Sequence, residues 1–161
     1  MGHSLFRLHI ENGLAVTVAM AVVVVGGGIL FGREVMALGA TGALYASIVD
    51  QPGPLDLKAR IFALDIAAAA IVTLLASLTG GTPWLLGPLI AVMGFMTGML
   101  VAYGRRAVGL GVAAVLALLF GMATHKAPFS VQIVHTAIFA GGGIGYALVS
   151  MLLNWVLDDR I

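Results

Sequence analysis

ALGATGALYASIVDQPGPL, residues 37–55, divides into two halves of opposite character. The first half is apolar and built from small residues: Gly39, Ala40, Gly42, Ala43, Ala46 and Ser47. Such a segment reads as a helix whose backbone other helices can approach closely, as they do in lipid. The second half is Asp50-Gln51-Pro52-Gly53-Pro54. Neither proline can continue a helix, so this is a tight turn in water or among headgroups. The remainder of the chain reads as further apolar helices gathered around that helix and its exit.

The composition supports this. Hydrophobic residues make up 61% of the 161 residues and charged residues 9%, where a soluble domain carries about 25% charged residues. A chain so poor in charge cannot cover a water-facing surface. The expected fold is all-α: a polytopic membrane protein, a bundle of six transmembrane helices with short loops and an N-terminal interfacial helix. The length accommodates six spans of roughly 20 residues each with tight connections.

The lead-in, residues 1–12, mixes Leu5, Phe6, Leu8 and Ile10 with Arg7, His9 and Glu11, the pattern of a helix lying on the membrane surface. The transmembrane domain is expected over residues 13–157, with spans at about 13–31, 35–49, 61–79, 84–103, 108–123 and 133–156. Residues 158–161 form a short or truncated cytoplasmic tail. Gly32-Arg33-Glu34 is the only break between the first two spans and forces a hairpin. The second span is short for a hydrocarbon core of about 30 Å. Residues 50–60 are the longest polar stretch and hold Asp56, Lys58 and Arg60. The first apolar run is too long for a signal-peptide core and lacks a cleavage site, so it is expected to stay as an anchor. Counting basic residues on alternate sides puts six on one face (Arg7, Lys58, Arg60, Arg105, Arg106, Arg160) and two on the other (Arg33, Lys126). The positive-inside rule then places both termini in the cytoplasm.

Several function classes fall away. A net charge of +1 gives no basic patch for nucleic acid. With no cysteine, thiol chemistry and disulfides are excluded. No phosphate-binding loop, zinc-protease, serine-hydrolase or EF-hand motif is present. The GGGIG run at 141–145 lies mid-span with no strand before it. His125 and His135 flank one outer loop, where solvated histidines are far commoner than a metal site. No metal and no cofactor is expected. Paired intramembrane carboxylates are absent, so an enzyme is not expected either.

The candidate functional residues are those out of place in lipid. Asp65 is the one acidic residue well inside a predicted span, about one turn from its start. A charge at mid-span costs roughly 2.5–3.5 kcal/mol on insertion. It either pairs with Lys58, Arg60, Arg105 or Arg106, or serves proton or substrate movement. Thr41 and Tyr45 are four residues apart and share a face; with Ser47 and Asp50 they either line a path or bond between helices. Lys58, Arg60, Arg105 and Arg106 form a basic cytoplasmic mouth, either an orientation anchor or an attractor of anions. Pro88 in the fourth span and Gly141, Gly142 and Gly143 in the sixth are candidate helix breaks or hinges; the alternatives are a shaped first turn and close packing.

The second span and its exit, GALYASIVDQPGPLDLKAR at 42–60, resemble the N-terminal membrane region of the fusaric acid resistance and aromatic acid exporter (FUSC-like) family. An amphipathic lead-in, a small-residue second span, a Pro-containing turn and basic residues before the third span all follow that pattern. The resemblance implies a bacterial inner-membrane protein in the lipid bilayer that exports aromatic or other organic anions, driven by the proton gradient. Plant aluminium-activated malate channels share the six-span layout, which implies the alternative of a passive anion channel. A third possibility is a non-transporting membrane scaffold or anchor. Family members carry a cytoplasmic domain after the sixth span and often a second membrane half. The resemblance therefore implies, beyond Ile161, such a missing part, or else a homodimer of this chain.

Overall fold

In lipid every backbone N–H and C=O needs a partner within the protein, which for segments of this composition leaves only the helix. The computed structural model describes residues 2–51, 53–102 and 104–158, with the side chains of 2–12, 15, 101, 105, 106, 157 and 158 outside the description. Its helices are α1 (Gly2–Phe31), α2 (Arg33–Val49), α3 (Leu55–Thr79), α4 (Pro83–Ala102), α5 (Arg105–Thr124) and α6 (Phe129–Asp158). No strand occurs among the described residues. Four stretches are long and apolar enough to cross a membrane: Leu55–Thr79, Pro83–Leu100, Ala107–Thr124 and Phe129–Val156. The shorter Val16–Phe31 is also apolar, and α2 has 17 residues.

Two boundaries differ most from the sequence reading, and α5 and α6 also begin three and four residues earlier than read, at Arg105 and Phe129. α1 runs uninterrupted across residue 12, joining the lead-in to the first apolar run. α3 begins at Leu55 rather than at residue 61. The reason is local: Leu-Asp-Leu-Lys-Ala-Arg are nearly all good helix formers, and Pro54 holds the N-cap in an extended conformation. Asp56, Lys58 and Arg60 therefore belong to the first turns of a helix, and Asp65 lies about three turns in. The tail residues 159–161 and the prolyl position 52 lie outside the described residues.

Two short connections carry a glycine with positive φ. Gly32 joins α1 to α2 at φ 90°, ψ 176°, and Gly104 precedes α5 at φ 106°, ψ −180°. A side chain would be strained there, which is why the shortest turns carry glycine.

α2, α3, α5 and α6 make the centre. α1 packs on α2 and α6, and α4 packs mainly on α5. The interior is built of small residues. One cluster joins Ala19, Ala43, Ala46 and Ala147 with Phe62, Ile66 and Tyr146. A second joins Ala69, Ala113 and Ala117 with Tyr45, Val49 and Phe139. Large apolar side chains point outward instead, among them Leu30, Leu64, Trp84 and Phe95. This inverted distribution belongs to a bundle whose solvent is lipid, where close backbone approach holds helices together.

The closest approach is between α2 and α6. A Cβ at Gly42 would overlap the Phe139 carbonyl, and one at Gly142 would overlap the Gly39 carbonyl. α3 and α5 meet in the same way, Gly121 against the Thr73 carbonyl, and the Thr73 hydroxyl donates to the Ala117 carbonyl at 3.2 Å. At the end near the α5–α6 turn, Gln132 Nε2 donates to the carbonyls of His125 (3.1 Å) and Ala127 (2.9 Å). Ser77 Oγ donates to Gln132 Oε1 at 3.3 Å, tying that turn to α3.

Candidate functional site

Two buried polar clusters sit where α2, α3 and α6 converge, one near the α2–α3 turn and one deeper. The outer cluster is centred on Asp50, the residue that ends α2 in extended conformation. Its Oδ2 accepts a hydrogen bond from Tyr146 Oη at 2.8 Å and one from Ser150 Oγ at 2.6 Å. Its Oδ1 faces Lys58 Nζ at 2.7 Å. That contact is a short ion pair, and neither atom has another polar partner. The Lys58 ammonium also lies 5.8 Å from the centroid of the Phe62 ring, one turn along α3, within cation–π range. Both charged side chains are almost fully buried, with 4% of Lys58 and 1% of Asp50 exposed.

The local folding explains the assembly. Pro54 starts α3 immediately after the turn, so the side chain at its fourth position, Lys58, faces the end of α2. Tyr146 and Ser150 are four residues apart on α6 and so lie on one face. The Gly142/Gly39 and Gly42/Phe139 crossings bring that face close enough to reach Asp50.

The inner cluster is Tyr45 and Asp65. Tyr45 Oη donates to Asp65 Oδ1 at 2.9 Å, while Asp65 Oδ2 is buried without a partner. Asp65 is 3% exposed. The Tyr45 ring is held edge-on to Phe139, centroids 5.5 Å apart, and Phe139 stacks on Phe120 at 4.9 Å. Among the described residues no cation contacts Asp65: Lys58 is committed to Asp50, and Arg60 is exposed. A groove of about 570 Å³, counted to its open side, adjoins Asp65 and Tyr45 and is otherwise apolar, bounded by Ala68, Val72, Leu100 and Leu110.

A second groove, of about 470 Å³ counted the same way, opens beside the α2–α3 turn. Lys58, Leu57, Ile61, Phe62 and Leu110 line it, with Gln51 and Gly53 at the turn. Leu110 of α5 lines both grooves.

Of the residues singled out by sequence, the structure thus joins Tyr45 to Asp65 and Asp50 to Lys58. Thr41 and Ser47 are in neither cluster; their hydroxyls donate within their own helix, to Ala37 O at 2.9 Å and Leu44 O at 2.7 Å. The side chains of Arg105 and Arg106 lie outside the described residues. Pro88 is exposed and α4 continues through it. α6 likewise continues through Gly141, Gly142 and Gly143: Gly142 and Gly143 are buried at the crossing with α2, whereas Gly141 is open. Tyr146 and Ser150 escaped the sequence reading. Their i, i+4 spacing on an otherwise apolar helix was the available signal.

Removing the single donor to Asp65 gives a direct check on the inner cluster. Tyr45→Phe is expected to leave the carboxyl group with no side-chain partner at all, at a cost of about 1–3 kcal/mol. Thermal unfolding of the purified protein in detergent reads this as a lowered midpoint. An unchanged midpoint for Tyr45→Phe would mean that the hydrogen bond contributes nothing to the fold.

A protein-family model described as FUSC-like inner membrane protein yccS matches residues 62–161. The match covers more than half of the chain. It takes in Asp65, Leu110, Tyr146 and Ser150, and begins just after the 42–60 stretch that carries Tyr45, Asp50 and Lys58. No curated protein and no solved structure matches the chain.

Proposed function

From a chain that belongs to the FUSC-like family of inner membrane proteins, we propose a proton-driven exporter of aromatic or other organic acids. The family and the apolar helices make this a multi-pass inner membrane protein related to transport. The finer reading rests chiefly on Asp65. It is a buried carboxyl group with one hydroxyl donor, one bare oxygen and an adjoining groove. An intramembrane ionisable group of this kind is a default candidate for proton or ion movement. Because it has no fixed counter-cation among the described residues, loading or unloading a proton changes the net charge of the site, which is the requirement for coupling.

In this reading the α2–α3 turn is the cytoplasmic mouth. Anions enter beside Lys58 and Arg60, pass Leu110 and reach the groove at Asp65. Asp65→Asn keeps the shape and can still accept from Tyr45 but cannot carry the proton. Reconstituted in liposomes, the wild type should move organic anions when a pH gradient is imposed. Asp65→Asn should lose the gradient-dependent part by an order of magnitude or more. Flux that ignores the gradient in the wild type points to the passive channel, and no flux from folded protein points to a scaffold. The bilayer is the protein's solvent. Homodimerisation, or pairing with a second half or a cytoplasmic domain, is proposed to complete the transporter, with the exposed apolar face of α4 available for such contact.

A further inference from the structure

The Asp50–Lys58 pair is unequal. Asp50 is held by two hydroxyls on Oδ2 as well as by Lys58 on Oδ1. Lys58 has no polar partner besides the facing carboxylate, and its ammonium lies over the ring of Phe62 on its own helix. If the pair opens, Asp50 keeps two donors on Oδ2 and Lys58 keeps no polar partner. Lys58 is also a wall of the groove beside the α2–α3 turn, with its ammonium buried behind that wall on Asp50, and the groove's other walls, Leu57, Ile61, Phe62 and Leu110, are apolar. A buried cation with one exchangeable contact beside apolar walls matches a small molecule with one carboxylate and an apolar body.

We propose that this groove binds the carboxylate of an amphipathic organic acid on Lys58, and that Asp50 is the internal counter-ion the ligand displaces. Empty, the site is closed by the Asp50–Lys58 contact. Loaded, Lys58 turns to the ligand, and Asp50 remains on Tyr146 and Ser150. The buried ammonium therefore never lacks an anion, which removes the penalty of exposing a lone charge to an apolar site. The exchange also makes affinity depend on the competitor: neutralising Asp50 should strengthen binding. This assignment deepens the exporter reading by naming where its anion sits, but binding is measured without transport, so the two can fail separately.

The test is equilibrium binding to the purified chain in phosphatidylcholine nanodiscs, which present no anionic headgroup. The probes are benzoate and hexanoate, each against its alcohol, benzyl alcohol and hexanol. The wild type should prefer each acid to its alcohol at least tenfold after correction for empty nanodiscs. Asp50→Asn should tighten acid binding severalfold, because the amide still accepts from Tyr146 and Ser150 and no longer competes for Lys58. Asp50→Asn/Lys58→Met, which leaves no unpaired charge and so keeps the fold, should bind acids no better than alcohols. Lys126→Met, at the opposite end of the bundle, should bind as the wild type does. Equal binding of acid and alcohol by the wild type overturns the proposal, as does an acid preference that survives in the monodisperse double variant. Acid binding that depends on Lys58, without gradient-driven flux, keeps this site and removes the exporter.

Discussion

Gly142→Ala should unfold or badly destabilise the bundle, while Gly141→Ala one residue earlier should be harmless. The difference lies in where each Cβ would go. At Gly142 it overlaps the Gly39 carbonyl of α2; at Gly141 it meets nothing within 4 Å. Overpacking a core typically costs about 1–3 kcal/mol when side chains can shift. Here the obstacle is a helix backbone, which can give way only by parting α2 from α6, so the cost should reach or pass the top of that range. At Gly141 the substitution should be neutral or slightly stabilising, since alanine favours the helix by about 1 kcal/mol over glycine. The same contrast holds on the facing helix: Gly42→Ala drives a methyl into the Phe139 carbonyl, and Gly39→Ala places one in open space. Monodispersity and thermal midpoint in mild detergent check all four variants. Equal behaviour of Gly141 and Gly142 variants would refute a crossing in which only one of them touches α2. A disrupted crossing also carries Tyr146 and Ser150 away from Asp50, so the outer polar cluster would be lost with it.

The second large effect is expected at the ion pair. Asp50→Ala strands the buried Lys58 ammonium and deprives two buried hydroxyls of their acceptor, and should cost about 3–5 kcal/mol. Lys58→Met should cost less, because Asp50 retains the Tyr146 and Ser150 donors. Joint replacement as Asp50→Asn/Lys58→Met should return most of the loss, since a neutral pair of similar volume often matches a buried salt bridge in stability. A double-mutant cycle of Asp50→Asn, Lys58→Met and the two together, on thermal or denaturant unfolding, measures the coupling. Additive losses would show that the two side chains do not interact in the folded protein. Alternatively, a larger loss for Lys58→Met than for Asp50→Ala would reverse the inequality on which the proposed ligand exchange depends.

Much of the helix pattern is legible in the chain. Apolar runs too long for anything but helices, broken by glycine and proline, locate the six helices to within a few residues except at the start of α3 and across residue 12. The α3 start was obscured because charge was read as loop. Asp56, Lys58 and Arg60 are compatible with a helix once Pro54 has set its first turn, and helix propensity rather than polarity decided the boundary. The glycines announced a packing role, but not which of them touch: Gly141 and Gly142 are indistinguishable in a string, and the difference is the 100° of helix rotation between them. The same limitation applies to α2, where Tyr45 proved a partner of Asp65 while Thr41, on the same nominal face, bonds only to its own helix.

By itself, then, the sequence determined the solvent, the secondary structure and the odd residues out. Those follow from composition and from local chemistry: lipid demands satisfied backbones, proline and glycine end helices, and a carboxyl group in an apolar run stands out wherever the run ends up. Partnership was decided only by the tertiary structure. Asp50 and Tyr146 are 96 positions apart, and nothing local signals that they meet. Their contact depends on the angle and depth at which α6 crosses α2, and that is set by which glycines admit a neighbouring backbone. The α2–α3 turn gives Lys58 to Asp50, and the packing of α3 on α2 leaves Asp65 with Tyr45 as its one side-chain partner among the described residues.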